Sequence, residues 1–209
     1  MTPRVIPYEG VSIVANRGKL LVIDGPSGSG KSTILHALEA DPSSGLIHVR
    51  RCTTREQRPG DDTEDNYRFV PPEEFRRMAE AGEFLEWKDF LFGMSYGTPR
   101  REVEELLEAG RNAVAIINLG NLPAVKEVIP DAVGIFISTD LGDLERRLRS
   151  RGNHTEEQIA ERLGNAAASV QLQPLYDYVV SNDEGRLEAC LQEVRHIIAS
   201  HMGLSSKDE

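Results

Sequence analysis

Residues 20–33, LLVIDGPSGSGKST, restrict the fold more than any other stretch of the chain. The apolar run Leu20 to Ile23 predicts a strand. A loop of Gly25, Pro26, Ser27, Gly28, Ser29 and Gly30 follows, and Lys31, Ser32 and Thr33 open a helix whose Ile34, Leu35 and Leu38 turn back onto the sheet. The loop fits the pattern G-x-x-x-x-G-K-[ST] in the strand-then-helix setting it requires. Glycines let consecutive backbone N–H groups converge on phosphate oxygens, and the helix N-terminus adds partial positive charge. Lys31 is then placed for the β- and γ-phosphates of a nucleotide, and the Ser32 hydroxyl for Mg²⁺. Such a loop serves ATPases, GTPases and small-molecule kinases alike. The chain has no NKxD-type guanine-reading loop of the switch GTPases.

Downstream, short apolar runs alternate with segments of helical period, which predicts a parallel sheet flanked by helices, an α/β fold. The runs are Leu20 to Ile23, Leu46 to Val49, Ala113 to Ile117, Ala132 to Ile137 and Tyr178 to Val180. Thr98 before Pro99 predicts an N-cap and first-turn proline for a helix carrying Val103, Leu106 and Leu107 and stopped at Gly110. Thr155 with Gln158 predicts a capping box, and Ile159, Leu163, Ala166 and Val170 continue at helical spacing. A last amphipathic helix bears Leu187, Cys190, Leu191, Val194 and Ile197. Residues 52–98 break this rhythm. An acidic loop from Pro59 to Asn66, strand-like Tyr67 to Val70, a helix entered through Pro71 and Pro72, and the alternating EFLEWKDF predict a small inserted α+β lobe. Residues 1–18 are expected to form an arm outside the core, and 201–209 a disordered tail.

The charge balance confines any phosphate chemistry to particular places. Twenty-four basic against 34 acidic side chains give a net charge of −10, which argues against binding nucleic acid non-specifically. Yet 19 of the basic residues are arginines, whose planar fork matches phosphate, and eight fall in two windows. One holds Arg50, Arg51, Arg55 and Arg58, the other Arg146, Arg147, Arg149 and Arg151. Two distant cysteines, no secretory leader and no apolar run of membrane-spanning length predict a cytoplasmic protein with free thiols and no membrane partner.

Taken in order, GPSGSGKST, TTREQRPGDDTEDNYRFV, EEFRRMAEAGEFLEW, SYGTP, LERRLRSRG with TEEQIAERL, and DYVVSNDE resemble the guanylate kinase family over roughly residues 19–199. The resemblance implies the P-loop nucleoside-monophosphate-kinase fold: a core of residues 19–51 and 99–200, an acceptor-binding lobe at about 52–98 and a helical lid at about 149–165. It implies ATP and Mg²⁺, with residues 25–33 on the ATP phosphates and Ser32 on the metal. Arg147 and Asn182 fall along the adenine side. Arg55 and Arg58, with the Tyr67 and Tyr96 hydroxyls, fall on the acceptor phosphate. Arg151 and Arg162 fall where lid arginines reach the transferring phosphoryl group beside Lys31. Glu86 and Thr98 fall at the guanine edge. The implied reaction is in-line transfer from ATP to GMP or dGMP.

The sequence departs from the family at the base site. Arg51 stands where a small serine would meet guanine, and Ile116, Ile117 and Asn118 stand where the family has D-x-D. Asn118 is expected to offer its carbonyl to the guanine amino group, and Asp24 is a candidate replacement for a lost carboxylate. Arg51 leaves open a different phosphorylated acceptor, such as a modified nucleotide or a ribose bisphosphate. A catalytically inactive interaction module is a third alternative, against which the intact Lys31 and lid arginines speak. Oligomeric state is not readable from the sequence.

Overall fold

A computed structural model describes residues 17–57, 67–90, 93–150 and 155–202. The acidic loop, the candidates Arg58 and Arg151, and all but the ends of the expected arm and tail lie outside the described residues; His201 and Met202, expected in the tail, close the last helix. In chain order the elements are β1 (Leu20–Asp24), α1 (Lys31–Glu39), β2 (Leu46–His48), β3 (Arg51–Thr53), β4 (Tyr67–Phe69), α2 (Pro72–Glu80), β5 (Phe84–Asp89), β6 (Ser95–Pro99) and α3 (Arg100–Glu108). They continue as β7 (Asn112–Ile116), α4 (Leu122–Val128), β8 (Val133–Ser138), α5 (Leu141–Ser150), α6 (Glu156–Ser169), β9 (Tyr178–Ser181) and α7 (Leu187–Met202).

The central sheet runs β2-β7-β1-β8-β9, and its neighbouring strands are parallel. Its middle strands are covered on both faces, which is why they are continuously apolar rather than alternating. In β1, Leu20 and Val22 face Val103, Leu107, Leu122 and Val125 of α3 and α4, while Leu21 and Ile23 face Ile34, Leu35, Leu38, Leu191 and Val194 of α1 and α7. Since β1 is clamped between β7 and β8, its C-terminal end is held firmly, and the phosphate loop leaves from that end.

The inserted segment forms its own sheet, β4-β3-β6-β5, over a core of Cys52, Val70, Phe75, Met78 and Phe84. The stacked rings of Phe75 and Phe84, 4.7 Å apart, fix α2 against β5. Burial pushes the thiols of Cys52 and Cys190 up to about 11, so both are inert packing residues. Helices α5 and α6 share a separate small core of Leu144, Leu148, Ile159 and Ala166.

Two local expectations fail. Thr98 does not cap α3: β6 continues through Pro99, and α3 begins at Arg100 with no side-chain cap. The Thr98 hydroxyl is instead turned into the lobe, where a buried carboxylate takes it. Val170 does not prolong the buried face of α6, because the chain tightens there into a 3₁₀ turn that leaves it half exposed. The Thr155 capping box is present, with Thr155 Oγ1 accepting from Gln158 N and Gln158 Oε1 accepting from Thr155 N.

Candidate active site

The loop after β1 has little freedom to carry side chains. Gly30, with φ +96°, caps α1, and a Cβ there would lie 2.3 Å from Asn182 Nδ2. A Cβ on Gly28, with φ +92°, would lie 2.7 Å from Leu144 Cδ1. At Gly30 and Gly28 the loop is thus pressed against the β9 end and α5 with only backbone. Asn182 Nδ2 donates to Ser29 O at 2.7 Å, while Asn182 Oδ1 and Ser29 Oγ are buried and without a hydrogen-bond partner among the described residues. Arg147 Nη2 donates to Asn182 O at 2.8 Å. Arg147 and Asn182 line one cavity with Gly28, Gly30, Thr33 and Leu187.

Lys31 is half-buried, and its ammonium donates to Gly25 O at 2.6 Å and Pro26 O at 2.9 Å, folded back over its own loop. Ser32 and Thr33 are exposed on the first turn of α1. From the lid, Arg162 Nη1 donates to Ser27 Oγ at 2.6 Å, a contact 135 residues apart in sequence. Helix α6 thus places Arg162 against the phosphate loop.

Behind the loop lies a buried network that sequence reasoning did not anticipate. Asp24 Oδ1 accepts from Gly25 N at 2.6 Å, and Oδ2 accepts from Gly120 N at 3.1 Å and from the Tyr176 hydroxyl. Burial pushes the Asp24 carboxyl above its ordinary 3.8, while Tyr176, Lys31 and the two backbone N–H groups pull it down. Burial, and next to it the Asp24 charge, pushes the Tyr176 phenol up. Asp24, the candidate replacement for a lost carboxylate, is wholly buried and ties the phosphate loop to the segment after β7. Ionising Asp24 opposes folding, so this residue erodes stability as pH rises from 3.8 through its raised folded-state value. Tyr176→Phe is expected to cost about 2 kcal/mol at pH above the raised Asp24 value, where the donor meets a charged acceptor, and less in acid. Urea unfolding at both pH values checks this, and a gap independent of pH would detach the loss from Asp24.

The lobe side is organised around Glu86, on β5 and only 4% exposed. Its Oε1 accepts from Thr98 Oγ1 at 2.7 Å. Its Oε2 accepts from Asn118 N at 3.3 Å, Asn118 Nδ2 at 2.8 Å and Asn121 Nδ2 at 2.9 Å. Asn118 Nδ2 also donates to Tyr96 O at 3.0 Å, and Asn118 Oδ1 accepts from Arg51 Nη2. The Asn118 carbonyl, expected to face a guanine amino group, accepts from Arg51 on one of its two lone pairs. The Arg51 guanidinium lies 5.1 Å from the Tyr96 ring centroid, and its Nε is buried without a partner among the described residues. Beside it, Arg55 lies over the Tyr67 and Phe69 rings at 5.4 and 5.3 Å, and Tyr67 meets Tyr96 edge-on at 5.8 Å. Of the expected acceptor residues, the structure gathers Arg51, Glu86, Tyr96, Thr98 and Asn118 into one network and Arg55 with Tyr67 next to it. Asn121 was not foreseen. Its signal was available, as a second amide one turn beyond the C-terminal end of a parallel strand, where α/β sheets place ligands.

Arginine, tyrosine and a buried carboxylate on a lobe beside a phosphate loop and a lid is the division of labour of a two-substrate phosphotransferase. A family model described as guanylate kinase matches residues 17–201. The chain belongs to the guanylate kinase family. A guanylate kinase of Symbiobacterium thermophilum is 40% identical over 183 residues, covering 87% of this chain and 85% of that one. One of a Shewanella species is 37% identical and covers 88% of each. The crystal structure of guanylate kinase from Anaplasma phagocytophilum, 28% identical, superposes with a TM-score of 0.71 over 90% of this chain and 87% of that one. An uncharacterized protein from Eubacterium ventriosum, 12% identical with a TM-score of 0.51, shares the fold. This member of the guanylate kinase family is thus a nucleoside monophosphate kinase, an ATP-dependent phosphotransferase of the P-loop class. No helix among its described residues is long and apolar enough to cross a membrane.

Proposed function

We propose that the enzyme transfers the γ-phosphoryl group of ATP to a phosphate oxygen of GMP or dGMP, yielding ADP and the nucleoside diphosphate. The carrying observation is the buried Glu86, fixed by Thr98, Asn118 and Asn121 next to the Arg55, Tyr67 and Tyr96 cluster. A carboxylate recognises the N–H edge of a base, and arginine with tyrosine hydroxyls recognises the dianionic phosphate attached to it. Residues 25–33 hold the donor phosphates, Arg147 and Asn182 flank the adenine, and Arg55 and Arg58 hold the acceptor phosphate in line.

Transfer forms a bond from the acceptor oxygen to the γ-phosphorus and breaks the bond to the β,γ-bridging oxygen. The attacking oxygen is already anionic, so no side chain has to take a proton. Lys31 leaves the Gly25 and Pro26 carbonyls for the phosphoryl oxygens, and Arg162 and Arg151 add charge from the lid. Closing the lid excludes water and with it futile hydrolysis. For Mg²⁺ the fitting donor is the exposed Ser32 hydroxyl at the head of α1. No cluster of three acidic, histidine or cysteine side chains able to hold a metal exists among the described residues, and Mg²⁺ held largely by phosphates and water needs none. When bound, the metal neutralises charge on the β- and γ-phosphates.

Arg51 favours a second reading, a non-purine acceptor with an additional phosphate. Glu86 opposes it, because its charge in the same network would repel that phosphate. An ATP-coupled assay over nucleoside monophosphates and ribose phosphates decides. Turnover of GMP and dGMP is expected, and activity confined to a ribose phosphate, or none, overturns the proposal.

A further inference from the structure

The phosphate loop and the segment that holds Glu86 leave the central sheet side by side. Ile23 of β1 pairs with Ile116 of β7, Ile117 N donates to Ile23 O at 3.3 Å, and the ladder ends there. One chain goes on into the phosphate loop. The other makes a four-residue turn, Asn118 to Asn121, closed by Asn121 N donating to Asn118 O at 3.0 Å, with Gly120 at φ +86° in its third position. Both ends of this turn serve Glu86, through Asn118 N and Nδ2 and through Asn121 Nδ2. Its third residue serves a different carboxylate: Gly120 N donates at 3.1 Å to Asp24 Oδ2 and at 3.1 Å to the Tyr176 hydroxyl oxygen.

Asp24 thus spans the gap that the ladder leaves. Its Oδ1 holds Gly25 N, the first residue of the phosphate loop, at 2.6 Å, and its Oδ2 shares Gly120 with Tyr176. There is no slack at either support. A Cβ on Gly25 would lie 2.4 Å from Ile137 O, and the Tyr176 ring meets Phe136, the β8 residue paired with Asp24, edge-on at 5.2 Å. The rest of β1, Leu20 to Ile23, is apolar, and a carboxylate buried at its end has a desolvation cost that an apolar side chain would not have. We infer that Asp24 and Tyr176 are positioning residues for phosphoryl transfer, which act through Gly25 and Gly120 to set the separation between the phosphate loop and the Asn118–Asn121 turn. This rests on the proposed placement of the donor phosphates on residues 25–33 and of the acceptor base at Glu86, and adds to it two residues that touch neither nucleotide. Each nucleotide binds on its own side of the link, whereas in-line transfer spans it. A misplacement of about 1 Å is enough to slow a reaction by about 10²-fold.

The test compares Tyr176→Phe and Asp24→Asn with the parent, all as full chains and well below their thermal midpoints. Phenylalanine keeps the ring against Phe136 and loses only the hydroxyl. Asparagine keeps one acceptor for Gly25 N and turns a donor toward the side where Gly120 N and the Tyr176 hydroxyl donate. Calorimetry gives the Kd of ADP alone and of GMP alone, and rapid quench gives the single-turnover rate of transfer from ATP to GMP with both saturating, which separates chemistry from product release. Transfer is expected to slow by about tenfold or more in each folded variant, while both Kd values stay within about threefold of the parent's. A link that only stabilises the fold would lower the thermal midpoint and leave the transfer rate of the folded enzyme unmoved. A smaller fall in rate overturns the inference, and so does a larger shift in either Kd, which would mean that the two residues shape one binding site rather than the separation between two. If Asp24→Asn does not fold, Tyr176→Phe alone decides. A parent that transfers nothing to GMP is a separate result, because it overturns the proposed function on which the inference rests.

Discussion

Lys31→Met is expected to lower kcat by about a thousandfold while leaving the thermal midpoint within a few degrees of the parent's. Methionine keeps the unbranched stem and a comparable helix propensity, so the half-buried part of the side chain and the first turn of α1 lose little. What disappears is the ammonium that rests on Gly25 O and Pro26 O. Those carbonyls belong to the loop that, in the proposed function, cradles the donor phosphates, so the charge is stored in the loop where the γ-phosphoryl group is proposed to sit. A single prealigned donor in such a site is worth about 10²–10³ in kcat, and a cationic one reaches the upper end or beyond. The stability cost is confined to the two hydrogen bonds to the carbonyls of the buried Gly25 and Pro26. A second consequence follows from the buried network: Lys31 helps hold the Asp24 carboxyl down, so its removal lets burial push Asp24 further up. Steady-state kcat at saturating ATP and GMP, read beside a thermal melt, checks the prediction. A variant within tenfold of the parent would remove Lys31 from the transfer step.

How far the sequence discloses this arrangement depends on where each partner lies. The phosphate loop and β1 are legible because their constraints are local: glycines where a Cβ would strike Asn182 or Leu144, and an unbroken apolar run where both faces are covered. The capping box at Thr155 is likewise contained within four residues. Thr98 shows how a local signal misleads. Thr-Pro before a helical pattern is a good cap, but the lone pairs of a buried carboxylate twelve residues away exert the stronger demand, and strand β6 runs on to deliver the hydroxyl. Asp24 with Tyr176, 152 residues apart, and Glu86 with Asn121, 35 apart, leave no periodic trace at all. Arg162 on Ser27 was reachable only through the order of whole motifs. The capture of the Asn118 carbonyl by Arg51 was not reachable even so: each departure from the family pattern is visible alone, and only the fold shows that they complement each other.

Glu86→Gln is expected to separate base recognition from folding, with a loss of about 10²–10³ in kcat/KM for GMP and little change in stability. The sign follows from the donor geometry. Glutamine has one acceptor oxygen, and three donors from Asn118 and Asn121 converge on the Oε2 side of Glu86. The amide therefore settles with its oxygen toward them and its NH₂ toward Thr98. The Thr98 hydroxyl, which donates to Oε1 in the parent, can rotate to accept. Every internal hydrogen bond keeps a partner, so unfolding by urea is expected to shift by about 1 kcal/mol or less, the loss of charge assistance. The face left to the ligand is different. Where the parent presents a carboxylate lone pair, the variant presents an N–H, which opposes the purine N1–H instead of accepting it. Glu86→Ala makes the contrast: it leaves Thr98, Asn118 and Asn121 without their buried acceptor and costs about 3 kcal/mol or more in stability. Equal destabilisation of the two variants would mean that Glu86 acts only as a structural hub. A Glu86→Gln enzyme that is stable yet unable to use GMP would place the carboxylate at the base.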